Sequence, residues 1–362
     1  MRFPEEVLKE RYLRVQEKII EKGLDAAVIR TMSTFIYITG IKWLRPSLII
    51  PAEGDPTVLL ADGEEDGFRE MAWIKNVLSY SDGSQLMGEV VKYLKDLNAK
   101  KVGMEYAVER DAFIFFYDLF KKLNRNVEVV DITDILDDIK VIKDRYEIDY
   151  IMKAGEVTRK VAAALADLVR EGMKETDIAA EAYYMLYKAG SEEPLIYINA
   201  GPNPRVHSEP LSTVTIRNNS IVTITLDADF SRYYVNKSLT IPIGNPGDTA
   251  LNAIKCMDEA QKVAVENTRP GTKFIEVMEK LDETYKKYDM LRYRVIGYAH
   301  SVGLKPEEMP ITTIVPKDRF VEVKPYMVLA LGHAPLMIPG IGSVKIEETY
   351  VVDPSGNLIR CT

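Results

Sequence analysis

Residues 222–244, VTITLDADFSRYYVNKSLTIPIG, carry the strongest constraint in the sequence. Two runs rich in Val, Ile, Thr and Tyr, Val222–Ala228 and Tyr233–Ile243, flank a polar tip at Asp229–Arg232. β-Branched and aromatic residues suit a pleated, half-buried surface, so the stretch reads as a long hairpin. Asp227 falls where an apolar residue is expected. A carboxylate inside a sheet is costly unless it is paired, hydrogen-bonded or metal-bound. Taken alone, the hairpin predicts that Asp227 and Asp229 flank the tip and stay in water.

The rest of the chain is ordinary for a globular protein: 362 residues, 46% hydrophobic and 28% charged, enough for two domains with a core each. The net charge is −8 and no run of Lys or Arg forms a patch, which argues against nucleic acid as partner. Cys256 and Cys361 are too few and too far apart for a disulfide framework or zinc knuckle. The charged start, MRFPEEVLKERYLRV, has no signal-peptide core, and no spanning segment follows, so a cytoplasmic protein without a membrane partner is expected.

Along the chain, 5–23 has the spacing of an amphipathic helix stopped at Gly23, and Ala26–Ile29 follows as a strand. SLIIPAEGDPTVLLA reads as a hairpin turning at Glu53–Pro56. Helices at 84–97 and 110–123 alternate with strands KVGMEY and VEVVDI, the sign of a mixed α/β layer domain. It ends near Asp138, and Ile139–Arg145 connects onward. The second half opens with long helices at 146–170 and up to Gly190. After the central hairpin the pattern returns, with a helix from Asp248 to Asn267 and another after RPGTKFIEV. EGMKETDIA and RPGTKFIEV are equivalent links, so 139–362 reads as a duplicated domain with a cleft on its pseudo-twofold axis.

The chain has three histidines, His207, His300 and His333, all in the duplicated half and each beside a Gly/Pro-marked loop. Confinement to one domain points to a shared cavity. Glu347 and Glu348 lie in the strand pattern VKIEETYVV with opposite facings, so one of them turns inward.

These motifs, in order, resemble those of the pita-bread metallopeptidases, the family of Xaa-Pro dipeptidase (prolidase), Xaa-Pro aminopeptidase and creatinase. GLDAAVI, FIYITG and LIIPAEGDPTVLL are similar to the creatinase/prolidase N-terminal domain. AGPNPRVH, the hairpin, RPG, HSVGL, KPYMV and VKIEETYVV are similar to the catalytic domain. The resemblance implies an α/β (α+β) fold: a creatinase/prolidase-like domain at 1–138 and a pita-bread domain at 139–362. It also implies a homodimer paired through the first domain, with Tyr37 and Trp43 near the partner's cleft, and a small peptide or small molecule bound in the second domain.

The active family holds two metal ions through Asp, Asp, His, Glu and Glu. Here the two Asp slots align with Thr225 and Asn236, and sliding the register places Asp227 and Ser238 there instead. His300 and Glu347 match their slots; the remaining Glu slot falls on Gly332 or His333. Hard divalent ions need carboxylates, which Thr and neutral Asn do not supply, so no two-metal centre is expected. The family's substrate-side histidine corresponds to His207, and its second histidine after the HSVGL motif becomes Glu307.

Three readings follow. The first is a metal-free, creatinase-type C–N hydrolase with His207, His300, Glu347 and Glu307 as catalytic candidates, His207 the preferred acid/base, and His207, His333 and Asn236 on the substrate side. The second is a non-catalytic binding protein, a pseudoenzyme using the old cleft. The third is a peptidase with one residual divalent ion (Zn, Co, Mn or Fe) on Asn236, His300, His333 and Glu347. No cofactor is the leading expectation. It assigns Gly332 the variable slot and turns His333 to solvent; an inward His333, about 2.0–2.2 Å from a point shared with His300 and Glu347, would favour the single ion.

Overall fold

The computed structural model describes residues 3–43, 47–107, 109 and 113–362. The chain divides into two units, Met1–Lys140 and Val141–Thr362. The first contains α1 (Glu5–Glu21), β1 (Ala26–Ile29), α2 (Met32–Thr39), β2 (Ser47–Pro51), β3 (Thr57–Ala61) and α3 (Glu65–Met71). It continues with β4 (Asn76–Tyr80), α4 (Gly83–Asp96), β5 (Lys101–Met104), α5 (Phe113–Leu123), β6 (Glu128–Asp131) and α6 (Thr133–Lys140). The sheet is mixed, in the order β4-β3-β2-β1-β5-β6, with β2 antiparallel to β1 and β3 and the remaining neighbours parallel. The first part of the 110–123 helix lies outside the described residues. Periodicity missed α3, β4 and α6, which are short or only part-buried. Tyr37 is covered within its own unit under the Arg11 guanidinium, 4.9 Å above its ring, so it offers no surface to a partner's cleft. Trp43 stays half-buried, its indole N–H donating to Glu64.

The second unit begins with α7 (Arg145–Leu168) and α8 (Glu175–Lys188). Asp144 and Glu147 form a reciprocal capping box that fixes where α7 starts. Then come β7 (Leu195–Ala200), β8 (Ser220–Phe230), β9 (Tyr233–Ile243), α9 (Asp248–Asn267) and α10 (Phe274–Lys287). They are followed by β10 (Ala299–Ser301), β11 (Glu308–Ile311), β12 (Val328–Leu331), β13 (Leu336–Ile338), β14 (Gly342–Val344), β15 (Glu348–Val352) and β16 (Leu358–Arg360). Each half-unit buries its own core. In one, Ile178, Ile196, Ile224 and Leu226 join the α7–α8 pair to β7–β8. In the other, Ala253, Phe274, Leu281, Leu329 and Val352 join α9–α10 to the sheet β11-β10-β12-β15-β16.

The central hairpin is tighter than expected. Its tip is only Ser231–Arg232, with φ of 54° and 72°, the two left-handed residues of a turn that matches strand twist. Asp227 and Asp229 are therefore inside the ladder, and both are buried, contrary to the expectation of solvated carboxylates. Asp229 is held by Ser191 Oγ and by the backbone N–H groups of Glu192, Glu193 and Arg232, at 2.7–2.9 Å. Alternation puts Val222, Ile224, Leu226 and Ala228 into the first core and Thr223, Thr225 and Asp227 on the opposite face. That polar face meets the segment between β14 and β15: Ser238 and Glu347 exchange backbone hydrogen bonds at 3.0 and 3.2 Å. The two half-units meet along this seam, and the site lies on it.

Candidate functional site

Five elements deliver the side chains. The hairpin supplies two rungs, Thr225↔Ser238 and Asp227↔Asn236. The residues of both alternative alignments thus share one face, whichever register is chosen. β10 supplies His300, the turn after β12 supplies His333, and the segment entering β15 supplies Lys345 and Glu347. The loop after β7 brings His207, at φ 43°, beside Tyr197, with ring centroids 5.4 Å apart.

Glu347 is the hub and is fully buried. Its Oε1 lies 3.2 Å from His333 Nδ1 and 3.5 Å from His300 Nε2. Its Oε2 accepts from Ser238 Oγ at 2.9 Å and forms an ion pair with Lys345 Nζ at 2.9 Å. Glu348 faces the other way, onto Lys237. Further out, Glu307 Oε1 is 3.7 Å from His207 Nε2 and 3.9 Å from His333 Nε2. The three histidines, Glu307 and Glu347 therefore form one continuous cluster. Asn236 sits on the next rung, donating its amide to Asp227 at 2.7 Å and leaving its own Oδ1 without a hydrogen-bond partner.

His333 corrects the expectation that it faces solvent: it is 4% exposed and its ring centroid is 4.4 Å from that of His300. The cause lies one residue earlier. Gly332 has φ +92°, and a Cβ there would come within 1.9 Å of the Ile346 carbonyl oxygen. No side chain fits at 332, so Gly332 does not hold the variable slot. The chain turns through it and swings His333 into the cluster.

Burial opposes ionisation of Glu347, but the Lys345 ammonium and the bonds from His300 and His333 hold its carboxyl well below the usual range. His300 donates from Nδ1 to the Ser301 carbonyl at 2.8 Å; burial works against its charge, yet the bond to Glu347 raises its pKa overall. His333 is pushed down to about 4, by burial first and then by His300 and Lys345. His207 is also lowered, by burial and then by Lys345, so it is neutral at pH 7. Asp227 is pushed up to about 7 by burial and by Glu347.

A raised folded pKa sets the sign of one prediction. The unfolded Asp227 ionises near pH 4 while the folded one keeps its proton, so its contribution to stability falls as pH rises from about 4 to about 7. Asp227→Asn removes that loss. Thermal unfolding is expected to show the variant gaining on the parent between pH 5 and pH 8; a gap that narrows in the other direction would refute it.

The cluster does not fit two metal ions. Thr225 and Ser238 bond each other at 2.8 Å, Asn236 is neutral, and the second oxygen of Glu347 is taken by an ammonium and a hydroxyl. One oxygen of the would-be bridge is left. Lys345 was absent from the sequence reading, although its place two residues before Glu347 puts both on one face of the strand pattern.

Comparison with known proteins agrees with this architecture. The profile of the creatinase/prolidase N-terminal domain matches residues 11–142, and that of metallopeptidase family M24 matches residues 149–354. The chain belongs to metallopeptidase family M24. This M24 chain is 26% identical over 351 residues to the Xaa-Pro dipeptidase of Pyrococcus furiosus, covering 96% of this chain and 97% of that one. It is 20% identical over 384 residues to the creatinase of a Bacillus species, covering 98% and 90%. The crystal structure of the prolidase from Pyrococcus horikoshii superposes with a TM-score of 0.84 at 26% identity, covering 98% of each chain. The pita-bread fold with its creatinase-type first domain is thereby shown. Among the described residues, no helix is long and apolar enough to cross a membrane.

Proposed function

We propose that this M24 protein is a C–N hydrolase of creatinase type that works without the family's two-metal centre. The observation that carries this reading is the occupation of Glu347 Oε2. The carboxylate that would bridge two ions is occupied by Lys345 and Ser238, and the hairpin slots hold Thr225 and Asn236. A base is then needed, and His207 is suited to it: neutral at pH 7, partly accessible, and beside the Glu307 carboxylate, which stabilises the imidazolium once formed. In the proposed step a water gives its proton to His207 and its oxygen to the amidino or carbonyl carbon. The carbon–nitrogen bond then breaks, and the departing nitrogen takes the proton back from the imidazolium. His300, with Nε2 3.5 Å from Glu347 Oε1, keeps that carboxylate oriented.

The test is metal content after purification, followed by turnover of Xaa-Pro dipeptides and guanidino compounds. Far less than one ion per chain is expected, with no rise in dipeptide hydrolysis on adding Mn²⁺ or Co²⁺. Robust hydrolysis that a chelator abolishes would refute the reading. Binding of these compounds without turnover would instead support the pseudoenzyme.

A second reading has its own observation. Tetrahedral ligands about 2.1 Å from one ion stand about 3.4 Å apart. The inward His333 and His300 lie 3.2 and 3.5 Å from Glu347 Oε1, and Asn236 Oδ1 is buried without a hydrogen-bond partner. These four residues suit a single zinc, cobalt, manganese or iron ion through Glu347 Oε1. Lys345 already balances the carboxylate at 2.9 Å, which is why the metal-free reading stands first. Near-stoichiometric metal that His333→Ala removes would reverse that order.

We also infer a homodimer. Light scattering at micromolar concentration is expected to give twice the 41.0 kDa chain mass, and a monomer would contradict it.

A further inference from the structure

His333 joins two sets of groups through its two ring nitrogens. Nδ1 meets Glu347 Oε1 at 3.2 Å, while Nε2 lies 3.9 Å from Glu307 Oε1. An ionised carboxylate only accepts, and Lys345 holds Glu347 in that form, so Nδ1 carries the ring proton and Nε2 keeps a lone pair. That lone pair faces another acceptor, Glu307 Oε1, across a gap too wide for a hydrogen bond. His207 Nε2 stands 3.7 Å from the same oxygen, again beyond hydrogen-bond reach. Among the described residues Glu307 has no Lys or Arg partner, whereas Glu347 is balanced by Lys345. One atom from each of His207, Glu307 and His333 thus lies within 4.8 Å of the others. Tetrahedral ligands of one ion stand about 3.4 Å apart, so closing the two gaps by about 0.3 and 0.5 Å seats one. The cavity against both imidazoles has room for about one water, enough for an ion or its fourth ligand. The His207 and Glu307 side chains are 33% and 25% exposed, which gives solvent a path to the site. A water has two protons to offer these three groups; a divalent cation satisfies all three.

We propose that His207, Glu307 and His333 Nε2 form a reversible site for a zinc-type divalent ion, and that this ion inhibits the protein. Glu347 and Asn236 take no part, so this is not the single-ion set of the second reading. Two imidazoles with one carboxylate favour zinc or cobalt over magnesium and calcium, which take oxygen ligands. The bond from Nδ1 to Glu347 orients the His333 ring, the usual outer support of a ligating histidine. The inhibition rests on the hydrolase reading: the ion takes the His207 lone pair that accepts the proton. The binding does not rest on it.

Calorimetric titration of the full chain, treated with a chelator and dialysed, tests the site with Zn²⁺, Co²⁺ and Mg²⁺. Zn²⁺ and Co²⁺ are expected to bind and Mg²⁺ is not, and bound Co²⁺ is expected to show the intense visible bands of a four-coordinate ion. Losing an outer support of a metal site costs about 10–100-fold in affinity, and losing a ligand costs at least as much. His207→Asn and Glu307→Gln, both at part-exposed positions, are therefore each expected to weaken Zn²⁺ binding by at least about tenfold. His333→Ala removes an ion from either set, so these two variants carry the distinction. An ion held by Glu347, His300 and Asn236 keeps its affinity in both, and that result would overturn the proposal, as would a parent that binds neither Zn²⁺ nor Co²⁺. In the parent, turnover is expected to fall in step with Zn²⁺ occupancy and to return with a chelator; full turnover at saturating Zn²⁺ would overturn the inhibition. If the screen finds no turnover at all, the hydrolase reading fails and the binding data still decide the site.

Discussion

His207→Asn is expected to lower kcat for C–N cleavage by about 10²–10⁴-fold, the usual scale of a lost general base, with little change in KM. Asparagine is the informative replacement. Position 207 has φ 43°, a left-handed backbone that Asn tolerates well, so the loop keeps its path. The amide also retains a donor toward Glu307 but cannot accept and return a proton. Glu307→Gln is expected to have a smaller effect in the same direction, because it removes the charge that steadies the imidazolium 3.7 Å away. Steady-state kinetics on the substrate found in the screen checks both. A His207→Asn enzyme with parental kcat would remove His207 from the chemistry.

The second large effect concerns stability. Lys345 and Glu347 are an ion pair with side chains 6% and 0% exposed. Removing one partner of such a pair strands a buried charge, at a cost of roughly 3–5 kcal/mol. Lys345→Met is therefore expected to lose about that much in urea unfolding. Because His300 supports Glu347 as well, the loss should grow above the pH at which its raised pKa is passed, where the imidazolium is gone. The double variant Lys345→Met/Glu347→Gln should recover most of the loss, since replacing both charges together is often close to neutral. A fully stable Lys345→Met single variant would mean that the pair contributes nothing.

Much of this was legible in the residues. Helix α9 and strand β1 lie where residue spacing put them, and the order of motifs carried the family. His207, His300 and Glu347 were brought to the cluster because each is anchored by its own local motif. What was not legible depends on contacts between segments far apart in the chain. The inward turn of His333 goes with the left-handed Gly332, where the Ile346 carbonyl, fourteen residues away, leaves no room for a side chain, which no periodicity reports. Asp227 looked like a turn residue because the tip was read as four residues rather than two, and burial of a carboxylate depends on an amide across the strand. Lys345 was overlooked because lysines in strands usually reach water, and only the fold shows this one ending against a carboxylate.

The crowding at Gly332 limits how the protein can be redesigned. A glutamate does not fit at 332 without moving the Ile346 carbonyl, so a two-metal site built into this chain would have to use position 333 and give up an imidazole of the cluster. It would also need Thr225→Asp, Asn236→Asp and loss of Lys345. Each acidic change made alone buries an uncompensated charge and weakens the fold. Such single substitutions should therefore score as damaging in a mutational scan, and only a combined replacement, selected with metal in the medium, should be tolerated.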